Sequence, residues 1–393
     1  MFWSLWSAVP SFIDNLKGNL FKPLLMFFYM GFLVPILGVK LDFPHVIYQG
    51  LTIYLLIAIG WKGGEELALL PAEELQKAVG FMGMGFVTNL MIGLIAYFAL
   101  RSFTKLRKVD AATVAGYYGS DSAGTFVTCI GVLTSAGLSY APYMPVMLAV
   151  MEIPGCLVAL FLVSQLRQKG MDAYGNMPEE IGYDPTAKAL IPAVDEQGGG
   201  HQSANHGNSE GQAHKPGFSL ELLHEVFLNP GIYLLFGGII IGFVGQRLGP
   251  KAVGEDNKLF NELFQGLLCL FLLEMGMTAS RKLRDLKTAG LPFVLFGVIA
   301  PNIFAILGML VANLYSHLSH EPLEQGTYVV FAVLCAAASY IAVPAVQRLA
   351  IPEASPTLPL AASLGLTFTY NVTIGIPFYI WISGRIIEAL PVK

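Results

Sequence analysis

Residues 117–128 read YYGSDSAGTFVT. Gly119, Ser120, Asp121, Ser122, Gly124 and Thr125 crowd into this run, inside a hydrophobic segment, and no basic residue lies closer than Lys108. Glycines and hydroxyl residues in such density interrupt a helix, because glycine loses most backbone entropy there and serine competes for backbone hydrogen bonds. An acid at such an interruption is expensive in apolar surroundings and marks a site. The rest of the chain says what those surroundings are.

Apolar residues make up 54% of the chain and charged residues 13%, against about 25% charged in an ordinary soluble domain. Too little charge is present to clothe a water-facing surface, so the chain reads as an integral membrane protein whose outer surface meets lipid. The net charge of −4 is small, and no Lys/Arg-rich block points to nucleic acid. Cys129, Cys156, Cys269 and Cys335 are scattered through apolar segments without metal spacing, and read as free thiols in helix packing. The N-terminal segment 1–20 lacks a basic region ahead of its apolar residues, so it reads as an interfacial amphipathic helix with Trp3 and Trp6 at headgroup level.

A bilayer core takes about 20 apolar residues per helix. Spans of that kind are expected at 21–39, 46–62, 80–100, 110–135 and 141–164, and again at 231–248, 258–279, 289–315, 325–346 and 360–386. Between the two sets, residues 166–218 turn polar, as in EEIGYDPTAKALIPAVDEQGGGHQSANHGNSEGQAHKPG (179–217), and read as a disordered linker. His201, His206 and His214 lie in it as solvated polar residues.

The two sets resemble each other. LLIAIGWKGGEEL (55–67) aligns with FLLEMGMTASRKL (271–283), setting Gly60 on Gly276; VTNLMIGL (87–94) aligns with APNIFAIL (300–307), setting Asn89 on Asn302. YYGSDSAGT (117–125) aligns with AAASYIAVP (336–344). Three matches in the same order indicate an internal repeat, and an odd number of spans per repeat inverts the second copy. The expected fold is therefore an all-α membrane protein: ten transmembrane helices in two inverted five-helix repeats, with helices four and nine broken. Its parts are the 1–20 interfacial segment, a first repeat over 21–165, the 166–218 linker and a second repeat over 219–393. Arg101, Lys105, Arg107, Lys108, Arg167, Lys169, Arg281, Lys282, Arg284, Lys287 and Arg348 fall on one side. The positive-inside rule places that side and the linker in the cytoplasm and both termini outside.

Spans four and nine are the unusual ones. Pro344 sits in the middle of span nine and frees a backbone carbonyl. Freed backbone groups at membrane depth need protein, ions or water. A broken helix presents N–H groups to an anion at one half-helix end and carbonyls to a cation at the other. The competing reading is two kinked helices whose small residues permit close packing. Asn89, Asn302, Thr367 and Asn371 are the other polar residues in apolar spans. Packing explains Asn89 best, whereas Thr367 and Asn371 are open to either a ligand or a packing role.

The chain resembles the SbtA-type sodium-dependent bicarbonate permeases. The resemblance is carried by VDAATVAGYYGSDSAGTFVT (109–128), LHEVFLNPGIYLLFGGIIIG (223–242), LLEMGMTASRKLRDL (272–286) and AAASYIAVPAVQRLAIPEASPTLPLAASLGLTFTYNVTIGIPFYI (336–380), and it spans nearly the whole chain except the N-terminus and linker. It implies an elevator-type secondary transporter of the cytoplasmic membrane, a homotrimer, bicarbonate and sodium bound at the two breaks, and a PII-like cytoplasmic regulator as partner. One departure stands out. Where cyanobacterial members carry Ser-Ser-Ser-Asp, this chain has Ala337, Ala338, Ser339 and Tyr340. The internal alignment sets Asp121 on Tyr340, as though the acid had crossed the pseudo-two-fold axis.

Sodium-coupled uptake of a small monovalent anion, bicarbonate first, is the resulting expectation. The anion is assigned to Gly119, Ser120, Ser122, Thr125, Ser339, Tyr340 and Ile341, and the sodium ion to Asp121, Ser120, Ala338, Thr367 and Asn371. Asp121 has a plainer alternative as a protonated acid or as the N-cap of the following half-helix. The alternatives for the whole chain are a permease for another small anion or carboxylate, or a non-transporting receptor on the same fold. An enzyme is not expected: Ser and Asp without His or Lys make a poor nucleophile system, and no organic cofactor is called for.

Overall fold

A computed structural model describes residues 21–187, 230–249, 253–254, 256–283, 286, 290–340 and 342–392. The 1–20 segment and residues 188–218 of the expected linker lie outside the described residues. In chain order the helices are α1 (Pro23–Leu37), α2 (His45–Leu69), α3 (Ala72–Phe103), α4 (Lys108–Tyr118), α5 (Ala123–Ala136), α6 (Met144–Gln168) and α7 (Pro230–Leu248). A π turn at Lys258–Glu262 leads into α8 (Phe264–Leu283), followed by α9 (Leu291–Ser319), α10 (Gln325–Ala336), α11 (Ala342–Ala350) and α12 (Leu358–Ala389). Among the described residues, α2, α3, α6, α7, α9 and α12 are long and apolar enough to cross a membrane, and α1 and α10 are shorter apolar helices. The segments expected at 110–135 and 325–346 are both broken, as α4/α5 and α10/α11. Within α12, Ala361–Phe368 and Asn371–Gly375 run in wide π turns.

Glycine sets the helix spacing in one half of the molecule. Here α2 packs on α7 and α1 on α8. A methyl group on Gly60 or Gly64 would overlap the carbonyls of Leu235 or Ile239 in α7, and one on Gly31 or Gly276 those of Leu273 or Phe28. Backbone thus lies on backbone, the close approach that small residues give membrane helices. Gly60 and Gly276, matched by the internal alignment, each rest against the first helix of the other half of the chain. The second body gathers α3 to α6 with α9 to α12, where α6 packs on α3 and α4, and α10 on α9 and α12. Contacts between the two bodies mix side chain and backbone: Gly63 faces the Pro145 ring and Gly131 faces Leu24 and Leu268, while Gly365 of α12 lies against the backbone of Lys282 and Leu283 in α8.

Residues 169–187 correct the linker expectation. They form an ordered cap on the end of α6, with Asp172 buried at its centre. The Asp172 carboxylate accepts the amides of Tyr174 (3.0 Å), Asn176 (2.7 Å) and Asp184 (2.9 Å). Arg107 pairs with Asp110 through both oxygens (2.7 and 3.0 Å) and donates to the Tyr174 carbonyl at 2.7 Å, and Lys108 pairs with Glu179. Polarity misled here because one buried carboxylate gathers the amides of the segment, with Met171 and Met177 as its buried apolar anchors.

Burial pushes the Asp172 carboxyl up, but the hydrogen bonds from the Asp184 and Asn176 backbone outweigh this and hold it below its ordinary value of 3.8. A group lowered in this way contributes stability that is complete above the ordinary value and is lost as pH falls through the lowered one. Amide exchange in 169–187 should therefore stay protected near neutrality and open only below ~pH 4. Asp172→Ala should open it at every pH, and protection unchanged in that variant would refute the anchoring role.

Candidate functional site

The two breaks meet. The Ser339 amide, in the extended stretch after α10, donates to the Tyr117 carbonyl near the end of α4 at 2.8 Å. The Tyr340 hydroxyl occupies the space a methyl on Gly124 would need, at the start of α5. Each second half-helix is served by a serine: Ser122 Oγ accepts the Thr125 amide (3.3 Å) and Ser339 Oγ the Val343 amide (3.4 Å). Ser122, not Asp121, is thus the N-cap of α5.

The assigned residues divide by whether the protein already uses their polar atoms. Ser120 donates to the Glu152 carbonyl of α6 at 2.6 Å, and the Thr125 hydroxyl donates to Ser122 Oγ at 3.0 Å. Thr367 accepts from Tyr118 (2.6 Å) while donating to the Gly297 carbonyl (2.9 Å), so it ties the last residue of α4 to α9. Asn371 donates to the Ala336 carbonyl (3.0 Å) at the end of α10 and accepts from Tyr379 (2.8 Å). Both therefore brace the breaks from α12. Ala338 is buried in the extended stretch between α10 and α11. Ile341 lies outside the described residues.

Gly119 ends α4 with φ −79°, and neither it nor Gly124 takes a positive φ. What Gly119 supplies is proximity: a methyl there would stand 2.9 Å from the Gly93 Cα and 3.0 Å from the Gly155 Cα. Three glycines thereby close α3, the first break and α6 onto one another.

Asp121 is the exception among the assigned side chains. It is 0% exposed, and neither carboxylate oxygen has a hydrogen-bond partner. Glu152 of α6, also buried, acts on it electrostatically, and the buried Asn89 of α3 donates to the Met151 carbonyl (2.9 Å) while its own Oδ1 stays unpartnered. Met151 and Glu152 thus offer their carbonyls to Asn89 and Ser120, which draws Asn89, Ser120, Asp121 and Glu152 into one cluster. The Tyr340 hydroxyl reaches toward Ser122 without making a hydrogen bond of good geometry, and its ring stands edge-on to Phe368 at 5.3 Å.

Both Asp121 oxygens and Asn89 Oδ1 are acceptors that no donor among the described residues meets, an arrangement that suits a small hard cation. The first-turn amides of α5, at Ala123 and Gly124, are the donors close by. Among the described residues no group of three or more His, Cys, Asp or Glu is placed to hold a metal ion, so any cation here is held largely by neutral oxygens around few charges. Sequence reasoning passed over Glu152, although an acid inside VMLAVMEIPGCLVALFL (146–162) carries the same signal as Asp121. It also read Asn89 as packing, which describes its nitrogen but not its oxygen.

A family model described as the Na⁺-dependent bicarbonate transporter superfamily matches residues 23–384. No curated protein matches the chain.

Proposed function

Since the chain belongs to the Na⁺-dependent bicarbonate transporter superfamily, we propose that it is a symporter carrying bicarbonate with sodium across the bacterial cytoplasmic membrane. The observation that carries the reading is Asp121, a fully buried carboxylate whose two oxygens the protein leaves unpartnered. An unpaired acid at membrane depth costs at least ~2.5 kcal/mol on insertion scales. A sodium ion beside it, held also by Asn89 Oδ1, a protonated Glu152, the Ser120 hydroxyl and the Ala338 carbonyl, offsets that cost. The anion then meets a neutralised site and takes the α5 amides, Gly119, Ser122, Thr125, Ser339, Tyr340 and Ile341. Binding order follows from charge: sodium first, anion second. Thr367 and Asn371 hold the frame in which this happens.

The elevator reading draws support from the two kinds of helix contact. Backbone-on-backbone seams tie α1 to α8 and α2 to α7, and the side-chain faces at Gly63 and Gly131 are where the body holding both breaks would slide against them. The exchange of partners by Gly60 and Gly276 supports inverted repeats. With the basic end cytoplasmic, a cysteine replacing the exposed Lys169 should react with an impermeant thiol reagent from the cytoplasmic side alone. Labelling from outside would reverse the orientation. A homotrimer and a PII-like regulator follow from the family resemblance, and native mass spectrometry reads both.

The test is uptake of labelled bicarbonate into proteoliposomes, with and without an inward sodium gradient. Gradient-driven accumulation is expected. No flux for any small anion would leave the receptor reading, and flux of a different anion or a carboxylate would reassign the substrate.

A further inference from the structure

Two aromatic side chains meet over Gly124 in the first turn of α5, one from each body. A methyl group on Gly124 would overlap the Tyr340 hydroxyl and stand 3.2 Å from Phe271 Cε1. Tyr340 comes from the second break, whereas Phe271 lies on α8, in the body that holds neither break. Phe271, Ser122, Thr125 and Ser339 are all buried. In this arrangement of the two bodies, the start of α5 is therefore closed to water.

Both rings are held by neighbours. Tyr48 of α2 stacks on Phe271, with 6.0 Å between centroids and 15° between planes. With a face of Phe271 covered in this way, an edge atom is what it turns toward Gly124. The edge of an aromatic ring carries partial positive charge, so it tolerates an anionic oxygen. Tyr340 stands edge-on to Phe368 of α12, and Phe28 of α1 backs Phe368 edge-on at 5.8 Å and 71°. Phe28 thus reaches the same group of rings without touching Gly124.

We propose that Phe271 is a specificity-determining wall of the anion seat, which admits a one-carbon oxyanion and excludes carboxylates bearing an alkyl chain. When two oxygens of the anion take the α5 amides and the Tyr340 hydroxyl, the third substituent of its carbon faces the Phe271 edge. Bicarbonate places an oxygen there and formate a hydrogen. Propionate must place an ethyl group, which is larger and gains nothing from a positive edge. The identity of the anion rests on the symporter reading above; the wall rests on the contact of Phe271 with Gly124.

The experiment compares wild type, Phe271→Ala and Phe28→Ala in proteoliposomes, with Phe271→Val as the milder truncation should the alanine variant fail to fold. Propionate should leave labelled bicarbonate uptake by wild type untouched and should inhibit it in the Phe271 variant. One methylene in a pocket is worth about 10- to 200-fold in selection, so the half-inhibitory propionate concentration should fall at least tenfold. Inhibition by formate should stay as in wild type. A folded Phe271 variant that still excludes propionate overturns the proposal, and so does an equal gain in Phe28→Ala, which would mark general loosening. Should wild type move no bicarbonate, the symporter reading fails, and thiol labelling decides about Phe271. With the half-buried native thiol removed by Cys269→Ser, Ser122→Cys should react with a water-soluble methanethiosulfonate only through the ~0.1–10% of molecules that open. Adding Phe271→Ala should speed that reaction about tenfold or more, and equal rates refute the wall.

Discussion

Asp121→Asn should raise the sodium concentration for half-maximal uptake by roughly 10- to 100-fold, with the maximal rate recovered at high sodium. The size follows from removing one charged oxygen ligand, an interaction worth ~1.5–3 kcal/mol, at 1.4 kcal/mol per decade. The same variant should be more stable than wild type when no sodium is present. Burying an unpaired carboxylate is costly, and the amide removes the charge. Wild type should regain the difference as sodium is added, so the two melting curves cross. This crossing separates a ligand from a structural acid, which would lose stability at every sodium concentration. The N-cap alternative predicts a loss of stability too, and Ser122 already fills that role. Sodium dependence unchanged in the variant would remove Asp121 from the ion site. The Tyr340 hydroxyl lies against Gly124, three residues after Asp121 in the chain, so adding Tyr340→Asp to Asp121→Asn should restore part of the sodium affinity.

Gly119→Val should cost the protein its fold. Valine would set its Cβ 2.9–3.2 Å from the Gly93 Cα, the Gly155 Cα and the Asn89 carbonyl oxygen, and backbone cannot swing aside. Overpacking of a well-filled interior costs ~1–3 kcal/mol and more where the neighbours are rigid. Little monodisperse protein should survive size-exclusion chromatography. Gly124→Ala is the instructive contrast. Its methyl meets the tip of the Tyr340 side chain and the edge of Phe271, side-chain atoms and not backbone. That variant should fold in near-normal yield and still lose uptake, because the hydroxyl is displaced from the break. Normal yield and uptake for Gly119→Val would mean that the three-glycine seam is loose.

The spans and the breaks were readable because their causes are local. Lipid leaves a helix no alternative partners for its backbone, so runs of apolar residues predict α2, α3, α6, α7, α9 and α12, with boundaries close to those observed except at the α2–α3 junction, where α2 runs on to Leu69 and α3 begins at Ala72. The Gly-Ser-Asp-Ser run and Pro344 likewise announce their interruptions. The 169–187 cap was misread because its order comes from Asp172 gathering amides up to twelve residues away in the chain, which composition does not register.

Hydropathy and the family motifs are written in neighbouring residues, and these determined the membrane class, the six long apolar helices of the described residues, the two breaks and the presence of Asp121 at one of them. Which polar atoms remain free was decided only in three dimensions. Thr367 and Asp121 look equally eligible as letters, yet Thr367 meets Tyr118 and the Gly297 carbonyl while Asp121 meets no donor. Asn89 enters the account for the same reason, through an amide oxygen that no donor meets. A hydrogen bond depends on what lies across the packed interface, and that partner sits tens to hundreds of residues away in the chain.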